Sequence, residues 1–200
     1  MPLDEELLAR FDRCLSDQRL PWLASRRPPL ADAEITRIAT SAGIQLAPEL
    51  RLWWSWFNGV STDERVEMTP VLEALALETA ILGRAKLQAV AADVAGSSDR
   101  AEPRTSYAER LWPSSLLPLF ATGGDATIAA DTAMGPATPL HMVSWQDADH
   151  PVVMVAPSLG DAVHRWVEMY EAGYYRWDVR EGAWDFERFD SARQPTITLL

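Results

Sequence analysis

The chain has 200 residues, 48% of them hydrophobic and 24% charged, the balance of one soluble domain that can bury a core without disulfides or metal. No apolar run approaches the roughly 18 residues needed to cross a membrane, and a lone cysteine, Cys14, excludes an internal disulfide. The net charge is −11, and residues 111–164 hold five aspartates and no lysine or arginine, so no basic footprint for nucleic acid is present.

The first segment, "MPLDEELLARFD", is acidic and amphipathic, unlike a signal peptide, which predicts a cytoplasmic protein. Leu7, Leu8, Phe11, Cys14 and Leu15 fall on one helical stripe over residues 3–18. Cys14 is therefore expected to be a small buried hydrophobe and not a nucleophile. "LPWLASRRPPL" (20–30), with three prolines, reads as a connector. Asp32 is placed to cap a second helix carrying Ile35, Ile38 and Ala42, ended by Gly43.

"ELRLWWSWFNGV" (49–60) then raises the question of a binding platform against a core helix. Pro48 suits a first helical turn, and Leu50, Trp53, Trp54 and Phe57 share one face. Gly59 follows, where a left-handed residue is wanted. Trp56 lies off that stripe, which predicts cover on more than one side. A helix is expected over 78–94 after a short strand or loop, the competing reading being a continuous helix from Pro70. "GSSDRAEPRTSYAER" (96–110) has loop composition and reads as a mobile excursion.

Beyond residue 110 the period shortens. "LWPSSLLPLF" and "ATGGDATIAADT" read as short β segments around a Gly-Gly turn. "TPLHMVSW" (138–145) and "PVVMVA" (151–156) predict a hairpin joined by the acidic turn "QDADH". Ser158 and Asp161 have capping-box spacing before a helix whose face is Leu159, Ala162, Val163, Trp166 and Tyr170, ended by Gly173. "YYRWDVREGAWDFERF" predicts a second hairpin. Helices first and strands after give an α+β fold, N-terminal helices packed on an antiparallel or mixed sheet. The organisation is a single domain over 1–200: helix and connector to residue 30, core over 31–172, hairpin over 173–200.

No catalytic constellation emerges. His141, His150 and His164 are far apart in sequence, with no HExxH, HxH or CxxC to gather metal ligands. A composite of His150 with Asp147 and Asp149 is the one remaining metal arrangement. GxSxG, GxxxxGK[ST] and GxGxxG are absent. "GGD" at 123–125 continues with Ala126 and Thr127, which makes it a glycine turn. Of the nine tryptophans, Trp53, Trp54, Trp112 and Trp166 read as core anchors. Trp145, Trp177 and Trp184 fall near strand ends, where partial exposure beside acidic turns suits a protein contact.

Three blocks carry a family resemblance. "EITRIATSAGIQLAPELRLWWSWFNGV", "LWPSSLLPLFATGGDATIAADT" and "PLHMVSWQDADHPVVMVAPSLGDAVHRWVEMY" occur in the order seen in the SUKH superfamily, which this chain resembles over residues 31–172. That superfamily includes fungal Smi/Knr cell-wall-assembly regulators and bacterial immunity proteins. Ala47-Pro48 departs from the commoner Leu-Pro, Val60 from a second glycine, and residues 61–110 match poorly. The matching positions are Trp53, Asn58, Gly59, Trp112, Pro118, Gly124, Asp125, Asp131, Pro157 and Ser158, and the resemblance implies that most determine the fold.

The resemblance implies a non-enzymatic protein-binding domain without cofactor, which in bacteria neutralises a toxin, often a nuclease. An acidic surface suits that role, because a nuclease holds phosphate with basic residues. The candidate contacts are Asp125, Trp145, Asp147, Asp149, Trp177, Asp178 and Trp184, with a basic toxin domain as partner. A regulatory or scaffold module without a toxin is the alternative. A hydrolase using His141, His150 and the aspartates with a metal is the third class.

Overall fold

A computed structural model of the chain describes residues 1–60, 67–99, 101–122, 124–133, 135, 137–145 and 151–185. Helix α1 (Glu5–Asp17) starts where the Asp4 carboxylate accepts the Leu7 amide at 2.8 Å, and it buries Leu7, Leu8, Phe11 and Leu15. Cys14 is only partly buried, and desolvation pushes its thiol pKa up. The proline-rich connector is not wholly irregular: Trp22–Ser25 form a short helix, α2, that buries Trp22 completely.

Helix α3 (Asp32–Ser41) corrects the cap assignment. Ala31 is the N-cap, and Asp32 lies inside the first turn, where its carboxylate pairs with Arg51. Gly43 follows the helix at φ +65, the left-handed region. Helix α4 (Pro48–Trp56) has proline in its first turn and buries Leu50, Trp53 and Trp54.

The chain does not curl into a left-handed cap after α4. Phe57 leaves extended, and Gly59 at φ +69 lies so close to the next connection that a Cβ there would overlap the Ala76 backbone. Only glycine fits this approach. Asn58 beside it is buried; its carbonyl accepts the Leu77 amide at 2.8 Å, and its amide nitrogen donates to Glu78 at 3.2 Å. Asn58 thereby satisfies an orphan amide at the start of α5 (Leu77–Ser97), a helix separated from Pro70 by strand β1 (Leu72–Ala74).

The segment 96–110 is corrected as well. Arg104–Leu111 form α6, because Tyr107 and Leu111, one turn apart, bury against Ala91 and Ala95 of α5 and against Trp112. The polar composition of the stretch conceals those two anchors.

Strands β2 (Leu116–Thr122), β3 (Ala126–Asp131), β4 (Leu140–Ser144) and β5 (Val152–Ala156) complete a five-stranded sheet in the order β1-β2-β3-β4-β5, antiparallel throughout. Both faces are covered, and side-chain alternation divides them. Ile128, Ala130 and Leu140 join the core made with α1, α4 and α7 (Leu159–Glu171), while Ala129 and Val143 face α5 and α6. Pro118, which has no amide to give a ladder, sits where the β2–β3 register shifts. The main core is aromatic: Phe120 meets Trp53 at 5.5 Å and Trp166 at 5.3 Å between ring centres, both edge to face.

One buried carboxylate ties distant segments to this frame. Glu49, 3% exposed on α4, accepts the Leu3 amide at 2.8 Å, the Thr138 amide at 2.8 Å and the Gly160 amide at 3.3 Å. At the start of α7 the Ser158 hydroxyl accepts the Asp161 amide at 2.9 Å, as the capping-box spacing predicts. Glu49→Ala leaves three buried amides without an acceptor and is expected to cost at least about 3 kcal/mol. Glu49→Gln keeps one acceptor oxygen and is expected to cost less, both read as shifts of the urea unfolding midpoint.

Candidate functional site

Sheet register assembles part of the predicted contact surface. Ala126 pairs with Ser144, so Asp125 in the β2–β3 turn and Trp145 just past β4 come to the same end of the sheet. Thr122 shapes the turn: its hydroxyl donates to the Ala126 carbonyl at 2.6 Å and accepts the Gly124 amide at 3.2 Å. Asp125 and Gly124 are exposed. Trp145 is half-buried, packed against the cluster that includes Val143 and Ala129. Asp147, Asp149 and His150 lie outside the described residues.

Trp177, Asp178 and Trp184 belong to a separate small hairpin, β6 (Trp177–Asp178) paired with β7 (Ala183–Trp184). The expected exposure of Trp184 is corrected. It is 7% exposed, packs near Tyr170 and Tyr175, and donates its indole N–H to Glu67 at 3.0 Å. A tryptophan near a strand end is exposed only if nothing lies over that end, and here α7 and its following turn do. Trp177 is half-buried, edge to face with Trp184 at 5.4 Å, and its amide donates to Gln18 at 3.1 Å. Burial pushes the Tyr175 phenol up to about 12.

Asp178 is exposed but already employed. Its carboxylate accepts the amides of Arg180 at 2.7 Å and Glu181 at 3.2 Å, and those bonds hold its pKa below the ordinary range. Asp131 similarly accepts the Ala133 amide at 2.9 Å. Pro157 is exposed ahead of the Ser158 cap, while Trp112 is buried at the end of α6.

The histidines do not converge. His141 alternates within β4 opposite Ala129 and Met154, and His164 lies on α7 with Nδ1 3.7 Å from Glu168. Among the described residues, no group of three His, Cys, Asp or Glu side chains is placed to hold a metal ion. No described helix is long and apolar enough to cross a membrane.

A groove between α1 and α4, unseen in the sequence, has a volume of about 430 Å³ and is lined by Glu5, Leu8, Asp12, Arg26, Leu52 and Trp56. Arg26 is fixed in its wall. It donates to Asp12 at 2.6 Å and to the Trp56 carbonyl at 2.8 Å, and its guanidinium lies 4.9 Å from the Trp56 ring centre. Trp56 is thus covered by a cation, the second side that its off-stripe position predicts. "ASRRPPL" carries no periodicity that would reveal this use of Arg26.

Desolvation lowers the pKa of His141, with Asp131 opposing in part. A folded value below the unfolded one means the unfolded chain binds more protons. Stability from the neutral ring is therefore complete above about pH 6.5 and falls as pH drops toward the folded value. His141→Gln is expected to flatten that part of the stability profile, measured by urea unfolding across pH 5 to 8 (a range of about three units around the histidine value).

Compared with protein-family models and with curated proteins, the chain matches none.

Proposed function

We propose that this chain is a non-enzymatic, protein-binding domain of the SUKH type that works in the cytoplasm as an immunity protein, occluding the active cleft of a basic nuclease toxin. The order of its motif blocks supports the family reading. A helix followed by buried Asn58 and Gly59, a tryptophan before β2, a Gly/Asp turn into β3 and a Ser158-capped helix are all built into the α+β frame. These residues support the fold and leave binding to the surface around it.

The observation that carries the binding role is the placement of exposed Asp125 and half-buried Trp145 at the same end of the sheet. Both lie in the stretch from 111 to 164 that has five aspartates and no lysine or arginine. A phosphate-binding cleft presents arginines and lysines, and an acidic patch steers toward them. A half-buried tryptophan supplies the apolar anchor such contacts need.

Co-expression with the product of the neighbouring gene, followed by a pull-down and a toxicity-rescue assay, tests the reading. A complex together with rescue is the expected result. Asp125→Lys with Asp147→Lys and Asp149→Lys is expected to slow association about tenfold or more at low salt while the unfolding midpoint stays put. A complex without rescue would assign the scaffold role instead, and an unchanged on-rate would move the interface off this end of the sheet.

A further inference from the structure

Helix α5 presents an apolar face to solvent. Its inner side buries Leu77, Ala80, Ala91 and Ala95 against the sheet and α6. On the opposite side Leu82 is 63% exposed and Val90 44%, with Ala85 and Ala89 exposed between them. A globular protein's outer helix ordinarily carries charge there. Only two charged residues occupy the middle of this face, Lys86 and Asp93, seven residues apart and so on one line two turns along the helix. Lys86 is the chain's sole lysine. Among the described residues neither has an ion-pair partner.

The charge pattern of this face is complementary to itself when the helix is reversed. An antiparallel copy of α5, related by a two-fold axis between Ala89 and Val90, places Lys86 against Asp93 of the second chain and Asp93 against its Lys86. The same register sets Leu82 against Ser97, one residue from Gly96. That spot has room, since a Cβ added at Gly96 would meet nothing within 4 Å. Ala89 meets Val90 at the axis, where small side chains let two helix backbones approach. One register thus satisfies both charges and sets the exposed leucine against a serine beside a glycine, twice, as an isologous contact requires.

We infer that α5 is the seam of a homodimer, a second copy of this chain packing antiparallel along Leu82–Ser97. The chain carries −11 overall, and two copies repel over most of their surface. The α5 face is neutral and self-complementary, so it is where they meet with attraction. The seam spans about 24 Å of helix, a small interface that associates weakly and reversibly. It uses none of the residues proposed to hold a toxin.

Sedimentation velocity of the full chain, from about 5 to about 500 μM, is expected to show monomer shifting to dimer. Carbodiimide, which joins an amine directly to a carboxylate, is expected to link Lys86 to Asp93, and mixing isotope-labelled with unlabelled chains will show the link to be between chains. Within one helix the two residues are roughly 10 Å apart along the axis, too far for a zero-length bond. Lys86→Glu alone and Asp93→Lys alone each set like charges together twice, and each is expected to weaken the dimer about tenfold or more.

An equimolar mixture of those two variants restores both attractive pairs, and dimers should return as heterodimers. A chain that stays monomeric to the highest concentration overturns the inference. So does a dimer indifferent to Lys86→Glu, or a mixture no more associated than either variant alone. Because both substitutions sit on exposed positions, circular dichroism of each variant is expected to match the parent.

Discussion

The architecture depends on the carboxylate of Glu49. An ionisable group 3% exposed is costly unless its lone pairs are filled, and here backbone amides from three separate places fill them. Leu3 precedes α1, Thr138 lies just before β4, and Gly160 is in the first turn of α7. Close contact reinforces the arrangement, since a Cβ on Gly160 would collide with the backbone of residues 1–3. The segment leading into α1, the approach to β4 and the start of α7 are therefore set by one side chain on α4. The sheet, the helices that cover it and the sheet-end surface inherit their relative positions from that junction.

Around it lies a core whose aromatic rings serve packing more than polar chemistry. Among the described residues the indole N–H groups of Trp22, Trp53, Trp112 and Trp166 have no hydrogen-bond acceptor. Three of them lie among other rings: Trp22 and Trp53 each meet Phe57 edge to face, at 5.0 and 5.1 Å, and Phe11 lies 5.7 Å from Trp166. Ring-edge contacts compensate part of the lost hydration. Such a core is ill suited to admit a ligand or a proton. The periphery carries acids, a half-buried indole and the outer face of α5.

What the sequence discloses follows from how local each cause is. The stripe of α1, the proline-led start of α4 and the Ser158–Asp161 cap are written within a few residues, and each is where the pattern places it. The α+β order was legible for the same reason, as the period changes from helical to alternating. Cover supplied from afar was not. Tyr107 and Leu111 turn a polar stretch into α6 only because α5 offers Ala91 and Ala95. Trp184 is hidden by α7 and its following turn, and Arg26 stands in a groove wall because Asp12 and Trp56 come to it through tertiary folding. Glu49 looks like any acid in a first helical turn until the chain closes around it. At the sheet end, Asp125 and Trp145 were each identifiable, but only the β3–β4 register brings them to the same end.

The Asn58-Gly59 step has a chemical side as well as a structural one. In a loose chain, the glycine nitrogen after an asparagine attacks the side-chain carbonyl carbon, ammonia leaves as a succinimide ring closes, and water opens the ring to aspartate or isoaspartate. Here that amide is locked between the Leu77 N–H and Glu78, and Gly59 is wedged against Ala76, so the attacking geometry is denied. Each opening of this corner exposes the amide to that ring closure. The aspartate or isoaspartate left behind would turn a second carboxylate toward Glu78 and hinder reclosure. The corner that starts α5 is thus also a clock, recording in covalent form how long the molecule has spent unfolded.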